Sequence, residues 1–189
     1  GDTDSEKAVL RELGAMDEVD YAMGLANVEA KPGYCLTDKL TPRQFSQMMD
    51  LSYEEACVLY AAYTADQEDN YGPIVGGIDS YTVSAMDMIL FIYQEKENGY
   101  VTLDDDDEEQ IDDAYHQITD AKAQMLGPNY TRMVLNLNLP EEGEETFAFL
   151  KKAHAVVEKY YDGDEVYLVG NSTSDYDQSV SFARDNVVI

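Results

Sequence analysis

One stretch restricts the architecture more than any other. From Met133 the chain alternates: Met133, Leu135, Leu137 and Leu139 fall on one side, Asn136 and Asn138 on the other. Period-two alternation predicts a strand with one buried face, here Tyr130–Leu139. Pro140 stops it, because proline has no N–H to give to a ladder. Glu141, Glu142, Glu144 and Glu145 then surround Gly143, and carboxylates suit the positive end of a helix dipole. Phe147, Leu150, Ala153, Val157 and Tyr161 follow at helical spacing, with Lys151, Lys152 and Lys159 off that stripe. Gly163 terminates the helix, and Val166–Val169 reads as a second, more deeply buried strand. The expected unit is β-α-β, with parallel strands and a right-handed crossover.

After Gly170 the segment Asp175–Ile189 reads as a helix ending on Asn186-Val-Val-Ile189, with no cap and no polar tail. Such an end is expected where a hydrophobic helix begins in a longer polypeptide. At the other end, Asp4 or Ser5 caps a helix carrying Val9, Leu10 and Leu13 and closed by Gly14. Glu18–Met23 then alternates as a strand, so this end reads as a β-α-β unit without its first strand.

Two groups of residues carry a family resemblance. Val169-Gly-Asn-Ser-Thr-Ser-Asp-Tyr-Asp177 with Phe182-Ala-Arg-Asp-Asn-Val-Val-Ile189 resembles the approach to a transmembrane helix in MMPL-type exporters of the RND superfamily. Met125-Leu-Gly-Pro-Asn-Tyr-Thr-Arg-Met133 and Asn138-Leu-Pro-Glu-Glu-Gly-Glu-Glu-Thr-Phe147 look like the porter-domain strand and helix of such transporters in Gram-positive bacteria. The resemblance covers the last third of the chain. It implies an extracytoplasmic domain that shapes a substrate path outside the cell membrane. Its partners would be transmembrane helices of the same polypeptide and neighbouring transporter subunits, and its substrate hydrophobic or lipid-like. It further implies a membrane-proximal coupling segment at Gly170, Asn171, Ser172, Asp175, Asp177, Phe182 and Asp185, with no cofactor.

Charge narrows the alternatives. Thirty-nine acids against 12 bases give a net charge of −27, a surface that repels nucleic acid and anionic headgroups. The same charge favours cations or basic partners, so a secreted or surface-anchored acidic binding module is the competing expectation. No run approaches the roughly 18 apolar residues of a membrane span, and no signal peptide is expected within these residues. Cys35 and Cys57 are too few for a disulfide framework and are expected as free thiols.

The middle of the chain reads as helical. Thr41-Pro-Arg-Gln opens a short helix burying Phe45, Met48 and Met49. Ser52-Tyr-Glu-Glu55 is a capping box for a second, carrying Ala56, Leu59, Tyr60 and Tyr63. Asp66–Gly77 reads as a loop; its twelfth position is Gly77, which defeats an EF-hand reading. Asp79 or Ser80 is expected to cap a helix through the apolar run Met86–Tyr93, with Asn98-Gly99 ending it. Asp104–Glu109 with Asp112 and Asp113 is an acid-rich helix start, whose stripe of Ile111, Ile118 and Met125 runs on to Gly127. Scattered carboxylates without a geometric cage hold cations only loosely.

The expected fold is therefore α+β: a ferredoxin-like β-α-β layer from residues 1–29 and 128–189, with a helical lobe, 30–127, inserted. Catalytic signatures are lacking. His116 and His154 show no metal spacing, and His154 is expected half-buried beside Ala153. Neither a Cys-x-x-Cys nor a Gly-x-Ser-x-Gly is present, and a carboxylate-pair hydrolase has no positive support. A non-enzymatic domain is the expectation, without a metal or catalytic site.

Overall fold

The computed structural model describes residues 3–66, 77–162 and 166–170. It is of the α+β class, with helices beside small antiparallel sheets. The chain divides into two compact units, Gly1–Gly24 with Met133–Ile189, and Leu25–Arg132.

In the first unit, helix α1 (Thr3–Gly14) leads into strand β1 (Val19–Met23). β1 pairs antiparallel with β6 (Val134–Leu137), which precedes helix α6 (Glu144–Val157). The predicted alternation is realised: Met133, Leu135, Leu137 and Leu139 pack against Val9 and Leu13 of α1 and Phe149, Leu150, Ala153, Val156 and Val157 of α6. Tyr21, paired opposite Asn136, is 51% exposed, so both helices cover one face of a two-stranded sheet. Thr146 is fully buried and donates a 2.7 Å hydrogen bond to the Pro140 carbonyl, fixing the turn into α6.

Four sequence expectations change here. Helix α1 begins at Thr3, so Asp4 and Ser5 lie in its first turn and do not cap it. The strand at 130–139 is shorter, and its partner is β1. Val166–Val169 forms no strand; Tyr167 is 82% and Val169 87% exposed, and only Val166 reaches the core. The ferredoxin-like β-α-β closure is thus not made among the described residues. A parallel pair needs cover on both faces, and this sheet has it on one. His154 is exposed rather than half-buried, its Nδ1 3.3 Å from Glu158 one turn on.

Ion pairs tie α1 and the turn before β1 to α6 and the turn after it. Lys159 lies 2.7 Å from Glu12 and Lys152 2.8 Å from Glu18. Hydrogen bonds from Lys159, then from the Tyr160 hydroxyl, hold the Glu12 carboxyl below the usual 4.5. The bond from Lys152 does the same for Glu18. Because the folded pKa is depressed, this stabilisation is present above the unfolded value and is lost as pH falls through the folded one. Glu12→Gln should therefore narrow the difference in urea midpoint between neutral pH and a pH below the folded carboxyl's own value, itself under 4.5, while leaving the acid midpoint near the parent's.

The second unit is mainly helical. After a 3-10 turn at Leu25–Asn27, β2 (Glu29–Lys31) and β3 (Tyr34–Cys35) form a small hairpin, and β4 (Lys39–Leu40) leads into α2 (Pro42–Met49). The α2 start is a reciprocal capping box: Gln44 N–H donates to Thr41 Oγ1, and Thr41 N–H to Gln44 Oε1 at 2.9 Å. Asp50 ends the helix in the left-handed region, at φ 58°. A second box opens α3 (Tyr53–Asp66), with Ser52 N–H donating to Glu55 at 2.9 Å. The loop expected between Asp66 and Gly77 lies mostly outside the described residues.

Ile78–Ser80 is a 3-10 turn, and Val83–Ser84 is β5, paired with β4. The cap of α4 (Ala85–Glu97) is therefore Ser84, whose Oγ accepts from Asp87 N–H at 3.0 Å, and not Asp79 or Ser80. Residues held in a ladder cannot begin a helix, so α4 starts where the β4–β5 pair ends. Asn98 caps its C-terminus and Gly99 follows at φ 77°. Asp104 caps α5 (Asp105–Met125), accepting from Asp107 N–H at 3.0 Å. Leu36, Phe45, Met49, Tyr60, Met88, Ile89, Ile92, Ile111 and Ile118 form the core of this unit. Cys35 and Cys57 form no disulfide with each other and are half-buried.

Candidate ligand-binding cavity

The helical unit contains a cavity of about 430 Å³, open on one side. Four segments build it. The end of α2 and the turn after it supply Met49 and Leu51, and the first two turns of α3 supply Glu54, Glu55, Val58 and Leu59. Ile92 comes from α4; Val101, Thr102 and Leu103 precede α5, which adds Asp104, Asp107, Gln110 and Ile111. The volume falls in the range of small-molecule sites.

Its wall is mostly aliphatic, and Val58 is 68% exposed, a large apolar side chain left in water. Glu54, Glu55, Asp104 and Asp107 are the charged residues that line it, and no lysine, arginine or histidine does so among the described residues. Two of these acids also have structural duties: Asp104 caps α5, and Glu55 closes the capping box of α3. Gln110 anchors the wall, donating to the Met49 carbonyl at 3.2 Å and accepting from Lys31.

Crowded carboxylates show in their titration. Partial burial raises the Asp107 carboxyl above the usual 3.8, and the charges of Asp104, Glu55, Asp106 and Asp50 push the same way. A raised folded pKa means the charge is penalised above that value, and acid relieves the penalty. Asp107→Asn is therefore expected to stabilise the fold at neutral pH by no more than ~0.5 kcal/mol, since screening limits such exposed groups. The gain should vanish below the usual 3.8, as read from denaturant midpoints at the two pH values.

The basic side chain nearest in sequence to this region is engaged elsewhere. Lys96 pairs with Asp112, with Glu108 at 3.4 Å and with Glu97 at 3.7 Å, and lies 5.1 Å from the Tyr93 ring centroid. Tyr93 stacks on Tyr115 at 3.7 Å. The predicted acid run is thus divided: Glu108 and Asp112 join α5 to α4, while Asp104 and Asp107 border the cavity. Among the described residues, no group of three or more His, Cys, Asp or Glu side chains converges as a metal site.

Of the predicted coupling segment, Gly170 is described and is exposed. Asn171, Ser172, Asp175, Asp177, Phe182 and Asp185 lie outside the described residues. The cavity escaped the sequence reading because its residues come from four separate segments. The signals present were Val58, off the apolar stripe of its helix, and Val101 and Leu103 just before the acids. Among the described residues, no helix is long and apolar enough to cross a membrane. No protein-family model, no curated protein and no solved structure matches this chain.

Proposed function

We propose that this chain is a non-catalytic, extracytoplasmic domain of an RND/MMPL-type exporter, and that its helical unit receives the apolar part of a substrate on its way out. The observation that carries the reading is the ligand-sized, aliphatic-walled cavity between α2, α3, α4 and α5. The porter-like residue order of the last third supplies the transport context. In this reading the energy for transport comes from transmembrane helices of the same polypeptide. The segment from Gly170 to Asp185 carries their motion to the α1–β1–β6–α6 unit, which a rigid element transmits as a body.

A second reading, a surface-anchored acidic binding module, is favoured by one observation: among the described residues, the charged ones lining the cavity are all acids. The coding sequence downstream of Ile189 separates the two. A run of about 20 apolar residues directly after it supports the exporter. A stop codon or a wall-anchoring tail at that point overturns the exporter and leaves the binding module.

A further inference from the structure

We propose that the cavity of the helical unit selects amphiphilic organic cations, with an aliphatic body seated on Leu51, Val58, Leu59 and Ile111 and a positive head held at the mouth by Glu54 and Asp107. The proposal rests on the reading of this cavity as a ligand site and adds the chemical class of its occupant.

Three observations point to that class. The wall is aliphatic, so it rewards removal of hydrocarbon from water and offers little to a small hydrated ion. Among the described residues the charged lining is all of one sign, and Lys31, which donates to Gln110 of the wall, is not itself part of the lining. Partial burial first, and then the neighbouring acids that stand with it, disfavour the Asp107 charge. A cation at the mouth relieves the second of these, whereas an anion adds to it. An inorganic cation is the poorer fit, because it would leave the aliphatic wall in water and finds no coordinating cage among the described residues.

The chain's overall negative charge would attract any cation, so the test must separate the cavity from the general surface. Octyltrimethylammonium, 1-octanol and octanoate share one aliphatic length and differ in head charge. Their binding to the 189-residue chain would be measured by calorimetry near physiological ionic strength, where surface attraction is screened beyond about 8 Å. The cation should bind at least about tenfold more tightly than the alcohol, and octanoate should not bind measurably.

The double variant Glu54→Gln/Asp107→Asn spares the two capping acids. It should bring the cation to within about threefold of the alcohol and leave the alcohol's affinity unchanged. Leu59→Trp, which fills the cavity, should abolish binding of both. If the alcohol binds as tightly as the cation in the parent, the charge selection is wrong while the cavity remains a ligand site. If none of the three probes binds, the ligand-site reading fails with it. Cation binding that survives Leu59→Trp belongs to the general surface and overturns the proposal.

Discussion

Tyr60→Ala is expected to destabilise the helical unit by about 3–5 kcal/mol, a loss typical of a large aromatic side chain removed from a close-packed core. Tyr60 is fully buried on α3, edge-on to Phe45 at 5.9 Å and to Tyr81 at 6.5 Å between ring centroids. Its hydroxyl donates a 2.7 Å hydrogen bond to the Leu40 carbonyl, at the end of the β4 strand that pairs with β5. One side chain therefore joins α3, α2 and the β4–β5 pair. Burial also raises its hydroxyl pKa above the usual 10.0, so it stays a neutral donor throughout the working pH range. Tyr60→Phe keeps the ring and removes only this hydrogen bond, which should cost about 0.5–1.5 kcal/mol. Urea denaturation of the two variants would measure both. A loss below ~1 kcal/mol for Tyr60→Ala would show that this core is loosely packed.

Phe149→Ala should have an effect of similar size, about 3–5 kcal/mol, in the other unit. Phe149 is 1% exposed and belongs to the core that α1 and α6 make over the β1–β6 sheet. A two-stranded sheet is marginal by itself, so this unit depends on helical cover. The neighbouring Phe147 is only half-buried, and Phe147→Ala should cost less than Phe149→Ala. Tertiary circular dichroism during denaturation would rank them. The reverse order would mean that α6 presents a different face to the sheet.

The contrast between Phe147 and Phe149 shows where sequence reasoning reaches its limit. A stripe drawn at helical spacing from Leu150 and Ala153 passes through Phe147, but α6 also buries Phe149 and Val156, a broader face. Signals confined to a few consecutive residues were legible. Thr41, Pro42 and Gln44 define one helix start, Ser52 and Glu55 another, and Asp104 a third, because each box is closed by side chains within one turn. The β4–β5 pair was not legible. Lys39 and Leu40 meet Ser84 and Val83 across the whole α2–α3 hairpin, and neither dipeptide has a pattern of its own. That hidden pair also moved the start of α4 to Ser84. Val166–Val169 illustrates the opposite error: an apolar run invites a strand assignment, yet a strand exists only where a partner edge and cover are supplied.

The candidate site followed the same rule. The acid run was visible as a helix start, but not its division between Lys96 on one side and the cavity on the other. That division depends on how α4 and α3 pack against α5, and it changes the meaning of the carboxylates. Glu108 and Asp112 balance a nearby cation, whereas Asp104 and Asp107 stand with Glu54 and Glu55 where no lysine, arginine or histidine lines the wall among the described residues.

The most direct test of the exporter reading is the side of the membrane on which the domain lies. Tyr100 is 79% exposed, while the native Cys35 and Cys57 are half-buried. Tyr100→Cys in the polypeptide that carries this domain, expressed in its host, adds an exposed thiol for a membrane-impermeant maleimide. The account predicts labelling of intact cells well above the parent background, with the labelled protein in the membrane fraction. Labelling that appears only after lysis would place the domain inside the cell and contradict the account.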